Sequence, residues 1–270
     1  MSASPLEGRV AIVTGGGRGL GLAMARGLLD AGARVVATAS REGAELDALA
    51  AQAGTDRLRT VQADVTREAD CARVVDLAID AFGSVDILVN NAGRGMKYVS
   101  DDFLTRPTRF WETAPDVWRM VIDTNVNGPF LMARAAVPHM IRAGRGRIVN
   151  ITMNHATMRR RGFSPYGPSK AALESETVIW AQDLDGTGVT VNGLLPGGAT
   201  ATGMIPDGFP QAERDKLLDP QVIVAPLIWL AADASDGVTG RRIDASRWRT
   251  DLPDAQAAEA AMDDAGWTAA

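Results

Sequence analysis

The chain has only two tyrosines, and one of them, Tyr166, stands four residues before Lys170. On a helix that spacing puts both side chains on one face, where the ammonium would lower the ordinary phenol pKa of about 10. A tyrosine so placed could give a proton to, or take one from, an oxygen that gains or loses charge on a bound molecule. The blander reading is a helix residue with its hydroxyl at the surface. Other chemistries find less support. The two histidines, His139 and His155, and the single Cys71 lack metal-ligand spacing, so no metal is expected, and no G-x-S-x-G elbow marks a serine hydrolase.

A second constellation is Thr14-Gly15-Gly16-Gly17-Arg18-Gly19-Leu20-Gly21. Glycines allow a tight turn and let the backbone approach a pyrophosphate, and a helix N-terminus beyond them offers unpaired N–H groups. Such a turn means little without its context. Here it follows an apolar run, Arg9 to Thr14, and precedes a helical pattern from about Leu20 to Ala31, which is the context a dinucleotide site requires.

The elements that must hold these residues can be read along the chain. Further strand candidates are Arg34 to Thr38, Leu58 to Gln62, Asp86 to Asn90, Arg147 to Thr152 and Val189 to Leu195. Helical patterns separate them at Gly43 to Ala53, Arg67 to Phe82 and Lys170 to Leu184. Strands apolar on both faces and joined by helices predict a parallel sheet covered on both sides. The expected fold is α/β, a single doubly wound Rossmann-like domain over residues 1–270, with about 245–270 as a helical or partly disordered C-terminal tail. Arg94 to Glu112 and Pro196 to Pro210 read as two long loops, the usual place for lids and binding segments.

The spacing T-G-x-x-x-G-x-G resembles the short-chain dehydrogenase/reductase family, classical type, and four more segments carry the resemblance. Asn90-Asn91-Ala92-Gly93 closes the fourth strand, Tyr166-Gly167-Pro168-Ser169-Lys170 is Y-x-x-x-K, Asp64-Val65 follows the third strand and Pro196-Gly197 the sixth. The match runs from about residue 7 to 244 in the family's order. The resemblance implies an NAD(P)-dependent oxidoreductase that transfers a hydride between the nicotinamide and a small carbonyl/alcohol substrate. Tyr166 would be the acid/base, Lys170 would also hold the cofactor ribose, and Asn125 would support a water relay behind the lysine. The cofactor would be bound by Gly15, Gly17, Arg18, Gly19, Leu20, Gly21, Asp64, Val65, Asn91, Ala92, Gly93, Pro196 and Gly197. A homo-oligomer, tetramer or dimer, is implied in the same way.

The sequence departs from the family at two places. A serine usually stands thirteen residues before the tyrosine and holds the substrate oxygen, and that position is Met153, whose thioether cannot donate. Thr152 should point to the opposite side of the strand, which leaves Asn154 and His155 as substitutes, and a plain loop histidine is an equal reading of His155. Phe110 and Trp111 would reach the substrate, whereas Trp118 would pack in a helix core and His139 would lie on a helix surface. The second departure follows Gly237-Val238-Thr239-Gly240, where the chain continues Arg241-Arg242-Ile243-Asp244-Ala245-Ser246-Arg247-Trp248 in place of the family's common valine-aspartate-glycine-glycine ending. Two other readings therefore stay open: reduction of another C=X bond such as an imine, and a dinucleotide-binding sensor without turnover.

Cofactor choice turns on the end of the second strand, Thr38-Ala39-Ser40-Arg41, where no acid precedes Glu42. An acid there would bond the ribose hydroxyls of NAD, and its absence, with Arg18 in the glycine turn and Ser40 and Arg41 at the strand end, predicts NADP, with NAD as the alternative. The 270 residues, 46% apolar and 23% charged, suffice for one large core. A net charge of −5 disfavours nucleic acid as a partner, and the basic run Arg159-Arg160-Arg161 reads as a solvated loop. No apolar run is long enough for a membrane span, and a lone cysteine fits the reducing cytoplasm.

Overall fold

A computed structural model describes residues 4–40, 44–53 and 56–267. Eight strands form one sheet: β1 Val10–Val13, β2 Arg34–Ala39, β3 Leu58–Gln62, β4 Ile87–Asn90, β5 Gly146–Ile151, β6 Val189–Leu195, β7 Arg241–Asp244 and β8 Met262–Asp264. Between them run α1 Gly19–Asp30, α2 Ala44–Ala53, α3 Glu68–Phe82, α4 Pro115–Ile122, α5 Gly128–Ala143, α6 His155–Met158, α7 Tyr166–Asp183, α8 Gln211–Arg214, α9 Val224–Ala231 and α10 Asp254–Ala261.

The strand order is β3-β2-β1-β4-β5-β6-β7-β8, and every neighbouring pair is parallel except β7 and β8. Alternate residues of each strand feed two cores, as the pleat demands. Ala11, Val13, Ile87 and Val89 pack with α1 and α9, whereas Val10, Ile12 and Leu88 pack with α3 and α5. Ile12, Ile87 and Leu88 are fully buried, each contributing about 1.5–3 kcal/mol by leaving water. The chain reverses its winding between β1 and β4, and a doubly wound sheet opens its crevice there, beyond the carboxyl ends of the strands.

Two features differ from the sequence reading. The segment expected as a tail folds back: α10 buries Ala257, Ala258 and Ala261, and β8 adds antiparallel to the edge of β7. Its sequence, Met262-Asp263-Asp264, carries no strand signal, and pairing with β7 imposes the extended form. Between α4 and α5, residues 123–127 form a single π-helical turn that includes Asn125. An extra residue in a helical register leaves no trace in composition or periodicity.

Candidate active site

The glycine turn, the end of β2 and the end of β4 enclose a cleft of about 570 Å³. Gly15, Gly17, Arg18, Gly19, Leu20, Gly21, Ser40, Asp64, Val65, Asn91, Ala92 and Gly93, all named above as candidates to hold a dinucleotide, line it together. Arg41 lies outside the described residues. Gly21 is needed for close approach, since a Cβ there would stand 2.1 Å from the Gly15 carbonyl oxygen. Arg18 precedes α1 in extended backbone and gives it no side-chain cap, so the first N–H groups of the helix face the cleft without an intrahelical partner. That donor set, at the positive end of a helix dipole, fits a pyrophosphate.

The turn is fixed by Thr14, a residue the sequence reading quoted but gave no role. Its hydroxyl accepts from the backbone N–H groups of Asn91 and Ala92, each at 3.0 Å, while the Asn91 carboxamide donates to Thr14 O at 2.8 Å and Gly15 O at 3.1 Å. The two loops of the cleft are thereby locked together.

Pro196 and Gly197 do not line the cleft. Gly197 has φ +90° and lies against the end of β7, where a Cβ would meet Ser246 Oγ at 2.1 Å and Asp244 Oδ1 at 2.2 Å. The turn instead launches Thr202, Gly203 and Met204 across the cleft, with Thr202 over Gly19 and Met204 over Gly93 and Gly95. The sequence reading named that stretch only as a loop, because contacts between loops have no local signature.

Tyr166 opens α7, half-buried, and Lys170 lies one turn on, with its ammonium 6.0 Å from the centre of the phenol ring. Lys170 Nζ donates to the Ile151 carbonyl at 2.7 Å. Burial pushes Tyr166 up to about 12 and Lys170 down to about 8. The expected lowering of the tyrosine by its neighbour is thus outweighed by desolvation, which penalises both charged forms. Asn125 is fully buried and clamps the next loop: its Oδ1 accepts from Arg94 N at 2.7 Å, and its Nδ2 donates to Arg94 O and Ser169 Oγ, each at 2.9 Å. Ser169, quoted in the sequence reading only as part of Y-x-x-x-K, donates in turn to Tyr166 O at 2.7 Å. Asn125 is therefore tied to the helix turn that carries Tyr166 and Lys170.

Met153 packs with Tyr166 against the apolar cluster of Met96, Phe103 and Phe163. The wall beside the phenol is a thioether and hydrocarbon wall. Thr152 does point away, donating to Glu174 Oε2 at 2.9 Å. Asn154 caps α6, its Oδ1 accepting from Thr157 N at 2.8 Å. His155 Nε2 lies 3.3 Å from Glu174 Oε1, and its ring stacks on Trp267 at 4.4 Å. Its pKa is lowered by burial and then by Arg242, so near neutral pH the ring carries no charge.

Glu174 is fully buried and gathers Thr152, His155, Gly266 N at 3.2 Å and the Arg242 guanidinium at 3.3 Å. Arg242 also donates to Met153 O at 2.8 Å. Arg242 thus braces the strand end at Met153, where the family's serine would stand.

Two aromatic expectations are corrected. Trp111 stands 66% exposed, edge-on to Phe110 in a short helical turn ahead of α4, and is not part of the cleft. Trp118 is 38% exposed, because its turn of α4 faces away from the sheet. Among the described residues no helix is long and apolar enough to cross a membrane, and no group of three or more His, Cys, Asp or Glu residues could hold a metal ion.

Residues 9–212 match the family described as short chain dehydrogenase. A 3-oxoacyl-(acyl-carrier-protein) reductase from Vibrio cholerae is 31% identical over 249 residues, 88% of this chain and 96% of that protein. A 3-alpha-(or 20-beta)-hydroxysteroid dehydrogenase from Mycobacterium tuberculosis is 33% identical over 240 residues, 87% of this chain and 86% of that protein. The crystal structure of a 3-ketoacyl-(acyl-carrier-protein) reductase from Brucella melitensis complexed with NADH superposes with a TM-score of 0.77 at 30% identity, covering 88% of this chain and 97% of that one. Relatives of near-equal identity act on an acyl chain and on a steroid, so identity at this level does not define the substrate.

Proposed function

The chain belongs to the short-chain dehydrogenase family of NAD(P)-dependent oxidoreductases, and on that premise we propose that it reduces a small carbonyl compound, with NADP(H) as the preferred dinucleotide and Tyr166 as the proton donor. The observation that carries the reading is the link from α7 to the cleft: Tyr166 and Lys170 do not line it themselves, but their helix turn is tied through Ser169 and Asn125 to Arg94, which does. The glycine turn and the N-terminus of α1 would hold the pyrophosphate, Asp64 and Val65 the adenine end, and Asn91 to Gly93 the middle of the dinucleotide. When bound, the nicotinamide supplies the hydride.

Tyr166 keeps its proton until a substrate oxygen gains charge, and then donates it. Its pKa of about 12 suits the donor role, since the phenol stays protonated throughout the physiological range. Lys170, still cationic below about pH 8, stabilises the phenolate left behind. Met153 and the cluster behind it exclude water from the apolar side of the substrate. Preference for NADP(H) is supported by Arg18 and Ser40 at the adenine end and by the lack of an acid at the end of β2.

The missing hydroxyl at Met153 favours a second reading, reduction of a C=N bond, whose polarisation depends less on an oxygen-binding donor. A homo-oligomer is supported by Trp118, Phe130, Ile141 and Ile179, large apolar side chains left exposed on α4, α5 and α7. The test is oxidation of NADPH, followed spectroscopically, over a panel of aldehydes, ketones and cyclic imines. Turnover of carbonyls supports the proposal, turnover of imines alone moves it to the second reading, and tight dinucleotide binding with no turnover of either makes the chain a sensor.

A further inference from the structure

The cleft extends past Gly93, beyond the residues assigned above to the dinucleotide. This extension is lined by Arg94, Gly95, Lys97, Tyr98, Asp101 and Met204. The segment has two faces. Met96 and Phe103 turn inward and pack with Met153 and Tyr166, while Arg94, Lys97 and Tyr98 turn to the cleft. Asn125 joins the backbone of Arg94 to Ser169 on the turn that carries Tyr166, so this extension adjoins that turn.

Arg94 is held ready. Its backbone N–H and carbonyl are both bonded by Asn125, its guanidinium lies over the Tyr98 ring at 4.7 Å, and its Nη1 bonds the Tyr98 hydroxyl. Among the described residues no carboxylate forms an ion pair with it, whereas Lys97 pairs at 3.5 Å with Asp207, which is 99% exposed. An exposed pair of that length is worth little and opens readily to a better partner. Asp101 is the one acid on this wall, set against two cations. A guanidinium stacked on a ring has lost its freedom already, and it offers a planar fork of donors that matches a carboxylate or phosphate. With the glycine turn and Arg18 assigned to the phosphates of the dinucleotide, Arg94 is left for another anion.

We propose that Arg94, steadied by Tyr98 and assisted by Lys97, anchors an anionic group on the substrate, so that the physiological substrate is a carbonyl or imine compound bearing a carboxylate or a phosphate. This rests on the reading of the cleft as an oxidoreductase site.

The test compares levulinate with its methyl ester, and dihydroxyacetone phosphate with dihydroxyacetone, in wild type and Arg94→Gln. In wild type the charged member of at least one pair has the higher kcat/KM, by about tenfold, and the pair that responds tells carboxylate from phosphate. In Arg94→Gln that preference collapses, Arg94→Lys restores part of it, and the dissociation constant for NADPH moves by less than about twofold. Binding of levulinate and of inorganic phosphate to the NADP-saturated protein, measured by calorimetry, separates the two levels of argument. Anion binding lost in Arg94→Gln but without turnover of any compound upholds the anchor and refutes the reductase reading. The proposal is overturned if wild type favours the neutral members and binds neither anion, if Arg94→Gln keeps the preference, or if that substitution weakens NADPH about tenfold, since Arg94 would then belong to the dinucleotide.

Discussion

The ammonium of Lys170 points to the Ile151 carbonyl oxygen, 2.7 Å away, and not to the Tyr166 hydroxyl. Both groups on this face of α7 are held in their uncharged direction by burial, the phenol near 12 and the ammonium near 8. Tyr166→Phe removes only the proton-carrying oxygen. It should bind NADPH as wild type does and lower kcat for reduction by about 10²–10⁴-fold. Stopped-flow turnover beside a binding titration checks it, and near-native kcat in the variant refutes the assignment.

The same pair sets a pH dependence. Lys170 has a folded pKa below its ordinary 10.5, so its charge is present below about pH 8 and disappears as pH rises through that value. Tyr166, with a raised pKa, stays protonated over the whole interval. The kcat for reduction should therefore be level from pH 6 to about 7 and fall as pH passes about 8, following the ammonium and not the phenol. A kcat–pH profile that rises through about 8 would contradict this ordering.

Ser40 and Arg18 face the same end of the cleft, and β2 ends without an acid. NADPH should bind more tightly than NADH by about tenfold or more, since an arginine bonds a 2′-phosphate well and a serine does not repel it. Ser40→Asp should reverse the order. Dissociation constants for both dinucleotides give the answer, and a wild-type preference for NADH would remove the basis of the assignment.

Met153 forms an apolar, adaptable wall beside Tyr166. Met153→Ser should lower kcat/KM for the native substrate and raise turnover of simple ketones, where an added donor can contribute about 10²-fold. The histidine and asparagine that follow offer little compensation, because Asn154 caps α6 and His155 is engaged by Glu174. If the serine variant improved the native reaction, the methionine would be a defect and not an adaptation.

Removing the Glu174 carboxylate leaves the Arg242 guanidinium buried without its charge partner. Glu174→Ala should cost about 3–5 kcal/mol in denaturant unfolding. It should also free both the strand end at Met153 and the segment near Gly266, since the carboxylate holds them together. Hydrogen exchange that speeds up in both segments supports this coupling, and protection unchanged in either breaks it.

The sheet was legible because its strands are short runs apolar on both faces, and the cleft because glycine spacing, Asn91 and the Tyr166–Lys170 pair are local patterns. What escaped the sequence has a common cause. Thr14, Ser169 and Thr202 act through partners distant in the chain, and nothing in their neighbourhood announces the bond. β8 has three residues, two of them aspartates, and its extended form depends on β7. Trp118 was misread because a large aromatic side chain suggests burial, whereas Trp111, expected at the substrate, stands exposed ahead of α4.

The π-helical turn at residues 123–127 sets one residue too many between α4 and α5. Deleting Val126 would splice the two into a continuous helix with regular hydrogen bonds. It would also rotate Asn125 by about 100°, the arc of one residue on a helix, and swing its carboxamide off Arg94 and Ser169. A single extra residue thus keeps the loop at Arg94 in register with the turn that carries the tyrosine.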